Sequence, residues 1–207
     1  NTLNGGGTSF GGADLYYGGD IAKWKKFGNT LKLKMAVRIA DANSSLASTK
    51  ATEAVNAGVI DGAGVNAEFP FETNPSNANP MWVSLVQSGR DDFVVANTFV
   101  DIISPLNDPR ASVFMDNNIN PYLGGTYGDS NTYANFTHIG DPFHVETLPG
   151  MIMSYDETEF LLAEAAARGL ISGDAEDHYN KAVTASIAYW TGSSAGAADY
   201  LAQAGVK

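Results

Sequence analysis

Asp14-Leu15-Tyr16-Tyr17-Gly18-Gly19-Asp20, running into Lys23-Trp24-Lys25-Lys26-Phe27-Gly28-Asn29-Thr30-Leu31-Lys32-Leu33-Lys34-Met35-Ala36-Val37-Arg38, is the stretch whose reading decides the fold. Trp24, Phe27, Leu31, Met35 and Ile39 recur at three- and four-residue steps with lysines on the other side, the period of an amphipathic helix. The spacing predicts a helix from about Ile21 to Ala42.

A second block of the same kind lies far downstream, Tyr155-Asp156-Glu157-Thr158-Glu159-Phe160-Leu161-Leu162-Ala163-Glu164-Ala165-Ala166-Ala167-Arg168-Gly169. Ser154 with Glu157 three residues on is a capping-box pattern, and Gly169 suits a left-handed C-terminal position. After the short turn Leu170-Ile171-Ser172-Gly173, Asp174 can cap a further helix with Tyr179, Val183, Ile187 and Trp190 on one face. Two helices joined so tightly run antiparallel and share a core. Shorter helices are expected over Ser48–Ala57, stopping at Gly58, over Asp92–Leu106, stopping before Asn107-Asp108-Pro109-Arg110, and over Ala195–Ala204.

Between these blocks, Val59–Pro80 and Asp116–Gly150 lack any such period and are rich in Asn, Gly and Pro. They carry Phe69, Phe71, Tyr122, Tyr127, Tyr133, Phe136 and Phe143, with Trp82 nearby. Segments this long and this aromatic are expected to be ordered and functional.

Composition narrows the possibilities. With 207 residues, 44% hydrophobic and 17% charged, the chain can bury a sizeable core. The formal net charge is −11, and six of the twelve basic residues (Lys23, Lys25, Lys26, Lys32, Lys34, Arg38) fall in the first helical block. That distribution argues against nucleic acid, which needs a concentrated positive face. Cysteine is absent, which removes disulfides and thiolate metal sites. No apolar run approaches the ~20 residues that span a bilayer, and the first residues lack the basic start and apolar stretch of a signal peptide.

Several motifs carry less than they promise. Gly192-Ser193-Ser194-Ala195-Gly196 has nucleophile-elbow spacing, but it joins two expected helices instead of following a strand. Asp116-Asn117-Asn118-Ile119-Asn120 opens like a calcium loop, yet Pro121 stands where glycine is required and Tyr127 where glutamate should close the site. That excludes an EF-hand and leaves irregular calcium binding open. His138, His144 and His178 have no ligand spacing on a shared face. Gly5-Gly6-Gly7 and Gly11-Gly12 lack the lysine of a phosphate loop and read as flexible linker. The carboxylates of Asp91-Asp92 and Asp156-Glu157-Thr158-Glu159 could serve glycoside hydrolysis only across a cleft, and the second group suits a helix's first turn. Asn43-Ser44-Ser45 and Asn135-Phe136-Thr137 match the glycosylation pattern, which recurs by chance.

The opening stretch resembles the middle of the SusD/RagB-like outer-membrane lipoproteins. Three further blocks follow in that family's order: Asn107-Asp108-Pro109-Arg110, then Tyr122-Leu123-Gly124-Gly125, then Glu159 to Gly169, and Tyr179 to Trp190 is similar to the family's next helix. The pattern is most similar to the divergent SusD-like subgroup. The resemblance implies an all-α fold, tetratricopeptide-like helix pairs forming an α-α superhelix with long irregular loops, with residues 1–207 as part of a single domain. It implies a non-enzymatic surface lipoprotein of a Gram-negative outer membrane, held by an N-terminal lipid outside this sequence. Such a protein captures oligosaccharides or polysaccharides and passes them to a TonB-dependent, SusC-like transporter, and no cofactor is implied. Family members are usually more than twice this length, so the chain is expected to be a fragment.

Sugars present apolar C–H faces and a rim of hydroxyls, which aromatic rings and side-chain amides recognise together. The candidate ligand-binding residues are therefore Trp82, Tyr122, Tyr127 and Tyr133 as platforms and Asn131 as hydroxyl partner. Two alternatives stand beside this reading: a helical-repeat scaffold for protein interaction, which would present a grooved concave helix surface, and a glycoside hydrolase, which would need paired carboxylates.

Overall fold

The computed structural model describes residues 9–206; the Gly5-Gly6-Gly7 run lies outside them. The chain order is α1 (Ile21–Arg38), α2 (Ser44–Ala57), β1 (Ala67–Phe69), α3 (Pro80–Trp82), α4 (Asn97–Ile103), α5 (Ala111–Phe114), β2 (Gly150–Met153), α6 (Tyr155–Ala167), α7 (Ala175–Thr191) and α8 (Ala197–Leu201). The fold is all-α as expected, with β1 and β2 pairing as a short ribbon. The chain divides into two compact bodies, Asn1–Phe69 with Met151–Ser186 and Pro70–Gly150 with Ile187–Lys207.

The first body is organised by the opening motif. Asp14 gathers the loop before α1: its carboxylate accepts from the backbone N–H of Tyr16 (3.1 Å), Tyr17 (3.3 Å) and Gly19 (2.9 Å) and from Trp24 Nε1 (2.6 Å). Burial pulls the Asp14 carboxyl upward, but these donors outweigh it and hold the group below its ordinary value. A side chain at Gly19, which has φ +85°, would meet the Gly11 backbone at 2.7 Å, so only glycine closes this loop. Gly11-Gly12 is correspondingly part of a 3-10 turn, Gly11–Ala13, and not a flexible linker. Tyr16, Tyr17, Trp24 and Phe27 meet edge to face behind it. Tyr17 Oη donates to Val65 O at 2.9 Å, and burial, with the Asp14 charge, pushes its phenol up to about 12.

Asp20 caps α1 through the N–H groups of Ala22 and Lys23. The helix buries Thr30, Leu33, Ala36 and Val37, whereas Leu31, Met35 and Ile39 are 41%, 62% and 36% exposed. The predicted stripe is therefore only half right. α1 has two apolar stripes, and the lysines bordering the core face are drawn onto neighbouring acids, Lys26 on Asp61, Lys32 on Glu53 and Lys34 on Glu157. Their aliphatic stems then cover the core, which a simple apolar count does not anticipate.

α1 also ends earlier than Ala42. Asn43 leaves helical geometry and accepts from Leu46 N at 3.0 Å, so it caps α2, which begins at Ser44, four residues before the expected Ser48. The core-facing side of α2 is alanine throughout, Ala47, Ala51 and Ala54, all fully buried against Leu33, Ala36, Val37, Leu161, Leu162 and Ala165. Alanine seams let helix backbones approach closely. α6 follows the prediction at both ends. Ser154 Oγ accepts from Glu157 N, and Gly169 at φ +66° closes a Schellman motif with Leu170 N donating to Ala165 O at 2.8 Å. Asp174 caps α7 as read.

In the second body the long helix predicted over Asp92–Leu106 contracts to α4. Val95 N and Asn97 N donate to Thr137 O and Gly125 O, which pulls the preceding residues into extended geometry. The last helix is likewise shorter, ending at Leu201. It is fastened by the Asn107-Asp108-Pro109-Arg110 block. Asp108, buried, takes Arg110 through two guanidinium contacts of 2.9 and 2.6 Å, and the Arg110 guanidinium lies over the Tyr200 ring. The Gly192–Gly196 segment links α7 to α8, with Thr191 Oγ1 donating to Ser193 O; no strand enters it.

Candidate functional site

The segment from Asp116 to Ile139 is pinned residue by residue instead of being draped over the helices. Met115 pairs with Ile139 in an antiparallel bridge, and Ala96 with Gly125 in a parallel one. Thr137, fully buried, is the linchpin: its N–H donates to Leu123 O (2.8 Å), its carbonyl accepts from Val95 N (2.9 Å), and its hydroxyl accepts from Leu123 N (2.7 Å). Asn118 stitches the other side, accepting from His138 N and donating to Phe136 O.

Glycines make this weave possible. A Cβ at Gly124 would fall 2.3 Å from Asn97 Cα, and one at Gly140 would fall 2.1 Å from Val113 O. The Tyr122-Leu123-Gly124-Gly125 block is thus a close-approach motif. Tyr122 packs on Val95, Val100, Ile103 and Met115 and fixes the base of the segment.

Above that base the remaining candidates separate by role. Asn131 closes its own loop, accepting from Thr126 N (2.9 Å) and donating to Thr126 O and Asp129 O (both 3.0 Å). That closure presents Tyr127, 81% exposed, at the tip. Tyr133 stands on a 3-10 turn, Tyr133–Asn135, and stacks on His138 with ring centroids 3.7 Å apart and planes 7° from parallel. His138 Nε2 lies 3.0 Å from Tyr133 O, so the imidazole locks both ring and turn. Burial raises the Tyr133 phenol, with the Asp91 and Asp116 charges adding to it. Trp82 is the last residue of α3 before the helix runs on as a π-helical turn, Val83–Gln87; the α3 cap, Asn79, accepts from Met81 N and donates to Leu148 O, and Trp82 is half-buried.

His138, weighed from the sequence only as a metal ligand, is the residue whose role the sequence conceals. The signal is its five-residue separation from Tyr133, which is meaningful only once the turn between them is known. Another feature without a sequence signal is an apolar hollow of about 380 Å³ lined by Val94, Val95, Ala96, Phe99, Phe114, Ile139 and Phe143. Trp190 closes on its walls, 5.1 Å from Phe114 and 5.5 Å from Phe143.

Three of the five carboxylates in the groups read as possible acid–base pairs, Asp92, Glu157 and Glu159, are held by basic side chains. Glu157 holds Lys34 at 2.5 Å, Glu159 holds His178 Nδ1 at 2.6 Å, and Asp92 holds Arg90 at 2.5 Å. Among the described residues no group of three His, Asp or Glu side chains is placed to hold a metal ion, and no helix is long and apolar enough to cross a membrane.

A family model described as "Starch-binding associating with outer membrane", SusD-like, matches residues 3–207. The chain belongs to the SusD-like family. Solved structures agree with that membership. A SusD-like protein from Bacteroides thetaiotaomicron is 33% identical with a TM-score of 0.76, over 92% of this chain and 40% of its own. A SusD homologue from Bacteroides uniformis is 28% identical with a TM-score of 0.82, over 98% of this chain and 43% of its own. A chitin-binding SusD homologue from Flavobacterium johnsoniae is 28% identical with a TM-score of 0.80, over 97% and 42%. This SusD-like chain therefore spans less than half the length of each. Comparison with the curated proteins gave no match.

Proposed function

We propose that this SusD-like chain is part of a cell-surface glycan-binding lipoprotein that captures oligosaccharides and delivers them to a TonB-dependent outer-membrane transporter, without catalysing a reaction on them. The observation that carries the reading is the pair Tyr127 and Tyr133: an exposed ring at a loop tip closed by Asn131, and a second ring held flat by His138. A flat ring held in place, as Tyr133 is by His138, suits the C–H face of a pyranose, and ordering it in advance lowers the entropic cost of capture. Family membership supports the ligand class and the membrane association, and a similar solved structure is itself described as chitin-binding. The occupied carboxylates support a binding role over hydrolysis. In this reading the stretch is one part of a single SusD-like domain. Tyr127, Tyr133 and Trp82 are the contact residues, while Asn131 closes the loop that carries Tyr127 and Tyr122 anchors the base of the segment.

Isothermal titration against a panel of neutral oligosaccharides tests the proposal. For the oligosaccharide that binds, Tyr127→Ala is expected to weaken capture roughly tenfold, equivalent to about 1.4 kcal/mol, with an unchanged circular dichroism spectrum. Unaltered affinity in both Tyr127→Ala and Trp82→Ala removes these residues from the site.

A further inference from the structure

The apolar hollow of the second body plays no part in glycan capture as proposed above. Its walls come from separate places in the chain, residues 94–99, Phe114, residues 139–143 and Trp190. No row of side chains at helical spacing lines it, so it suits a compact guest better than a helix. The rings brace one another. Phe99 and Trp190 both meet Phe114 edge to face, with centroids 5.9 and 5.1 Å away, and Trp190 lies 5.5 Å from Phe143. Walls set in advance lower the cost of binding. Phe99, 40% exposed, keeps the hollow open to solvent.

The lining restricts what can enter. Every side chain in it is apolar, and main-chain groups along it are already paired. Val95 N donates to Thr137 O, Val95 O accepts from Gly125 N, Ala96 O from Val100 N and Phe114 O from Gly140 N. A hydroxyl or a charge taken inside would lose water and find no partner. Sugars are thereby excluded, and uncharged hydrocarbon surface is favoured. The volume of about 380 Å³ is more than twice the ~150 Å³ that accommodates benzene in an apolar protein cavity. One or two fused rings fit such a space.

The hollow also faces away from Tyr133. Ile139 is bridged to Met115 in an antiparallel pair, and successive side chains along such a run point to opposite sides. Ile139 lines the hollow, whereas its neighbour His138 stacks on Tyr133.

We propose that this hollow is a second binding site, independent of the tyrosine pair, for a small uncharged aromatic molecule of one or two rings. The guest enters past Phe99 and packs on Phe114, Phe143 and Trp190.

Isothermal titration of the full-length gene product with 2-naphthalenemethanol, an uncharged two-ring probe, tests this. Saturable binding of one probe per chain is expected, with none for inositol, a ring that carries hydroxyls all round. Ala96→Leu fills the hollow and is expected to weaken the probe about tenfold or more, equivalent to about 1.4 kcal/mol. Phe99→Ala, at an exposed position, removes one wall without opening the core and also weakens it. Tyr127→Ala, which is expected to impair oligosaccharide capture, leaves the probe's affinity unchanged. Absence of saturable probe binding overturns the proposal, because the hollow is then closed in the whole protein. Undiminished binding in both Ala96→Leu and Phe99→Ala overturns it too, as does loss of the probe in Tyr127→Ala.

Discussion

Single side chains set the local architecture at three places. Asp14 gathers four N–H donors and so shapes the loop ahead of α1. Asp108, buried, is pulled upward by burial, but the Arg110 guanidinium and N–H and the Tyr200 hydroxyl outweigh it and keep its carboxyl below the ordinary value. A carboxylate whose folded value lies below its unfolded value of 3.8 contributes stability that is fully present above that value and disappears as pH falls through the folded value. Melting temperature recorded from about pH 7 down to about pH 3 is therefore expected to fall below about pH 4 in the parent and to fall less steeply in Asp108→Asn, which starts lower. Parallel curves would refute the assignment. Thr137 is the third case. Thr137→Val keeps the shape but removes the acceptor of Leu123 N from a part-buried bond, an expected loss of about 1 kcal/mol in denaturant unfolding; a change within experimental scatter would show that the hydroxyl does not hold the weave.

At the scale of elements, the alanine seam and the caps account for how α1, α2 and α6 meet. Ala51 is fully buried in that seam, so Ala51→Leu forces the helices apart at about 1–3 kcal/mol. Asn43→Ala removes the α2 cap and is expected to cost about 1 kcal/mol; chemical denaturation separates the two by size. The same elements show what sequence alone discloses. α6 was legible at both ends and α7 at its start because these signals are local: Ser154, Gly169 and Asp174 act on residues within a turn of themselves. The end of α1 was not, because Asn43 can continue one helix or cap the next, and its neighbours Ser44-Ser45 read equally well as a modification pattern. The inward face of α1 was hidden by its lysines, whose acidic partners Asp61, Glu53 and Glu157 lie 21 to 123 residues away. In the site, Tyr127 and Tyr133 were visible as aromatic residues in a long aperiodic segment. The restraint on them, Asn131 for one and His138 for the other, exists only in three dimensions.

Over the whole molecule, charge is the property that bears on ligand choice. The chain carries a formal net charge of −11, and carboxylates neighbour the Tyr133 ring. Oligosaccharides bearing uronate or sulfate groups meet a repulsive field, while neutral ones do not. Paired titrations of a neutral glycan and its carboxylated analogue are expected to favour the neutral ligand at low salt, with the gap narrowing as salt screens the field. A preference for the anionic analogue would place capture elsewhere on the protein.

The Asp116–Ile139 weave has a consequence for how such a surface can diversify. Its two ends are locked by Thr137 and by glycines that tolerate no side chain, so residues at its tip change without disturbing anything beneath them. New ligand preferences can then arise by substitution at Thr126–Ser130 alone, on a frame that stays constant. A library randomised at Thr126, Tyr127, Asp129 and Ser130, with Gly128 kept because its φ of +81° suits glycine, is expected to yield folded variants at nearly every position, whereas the same exercise at Tyr122–Gly125 yields few.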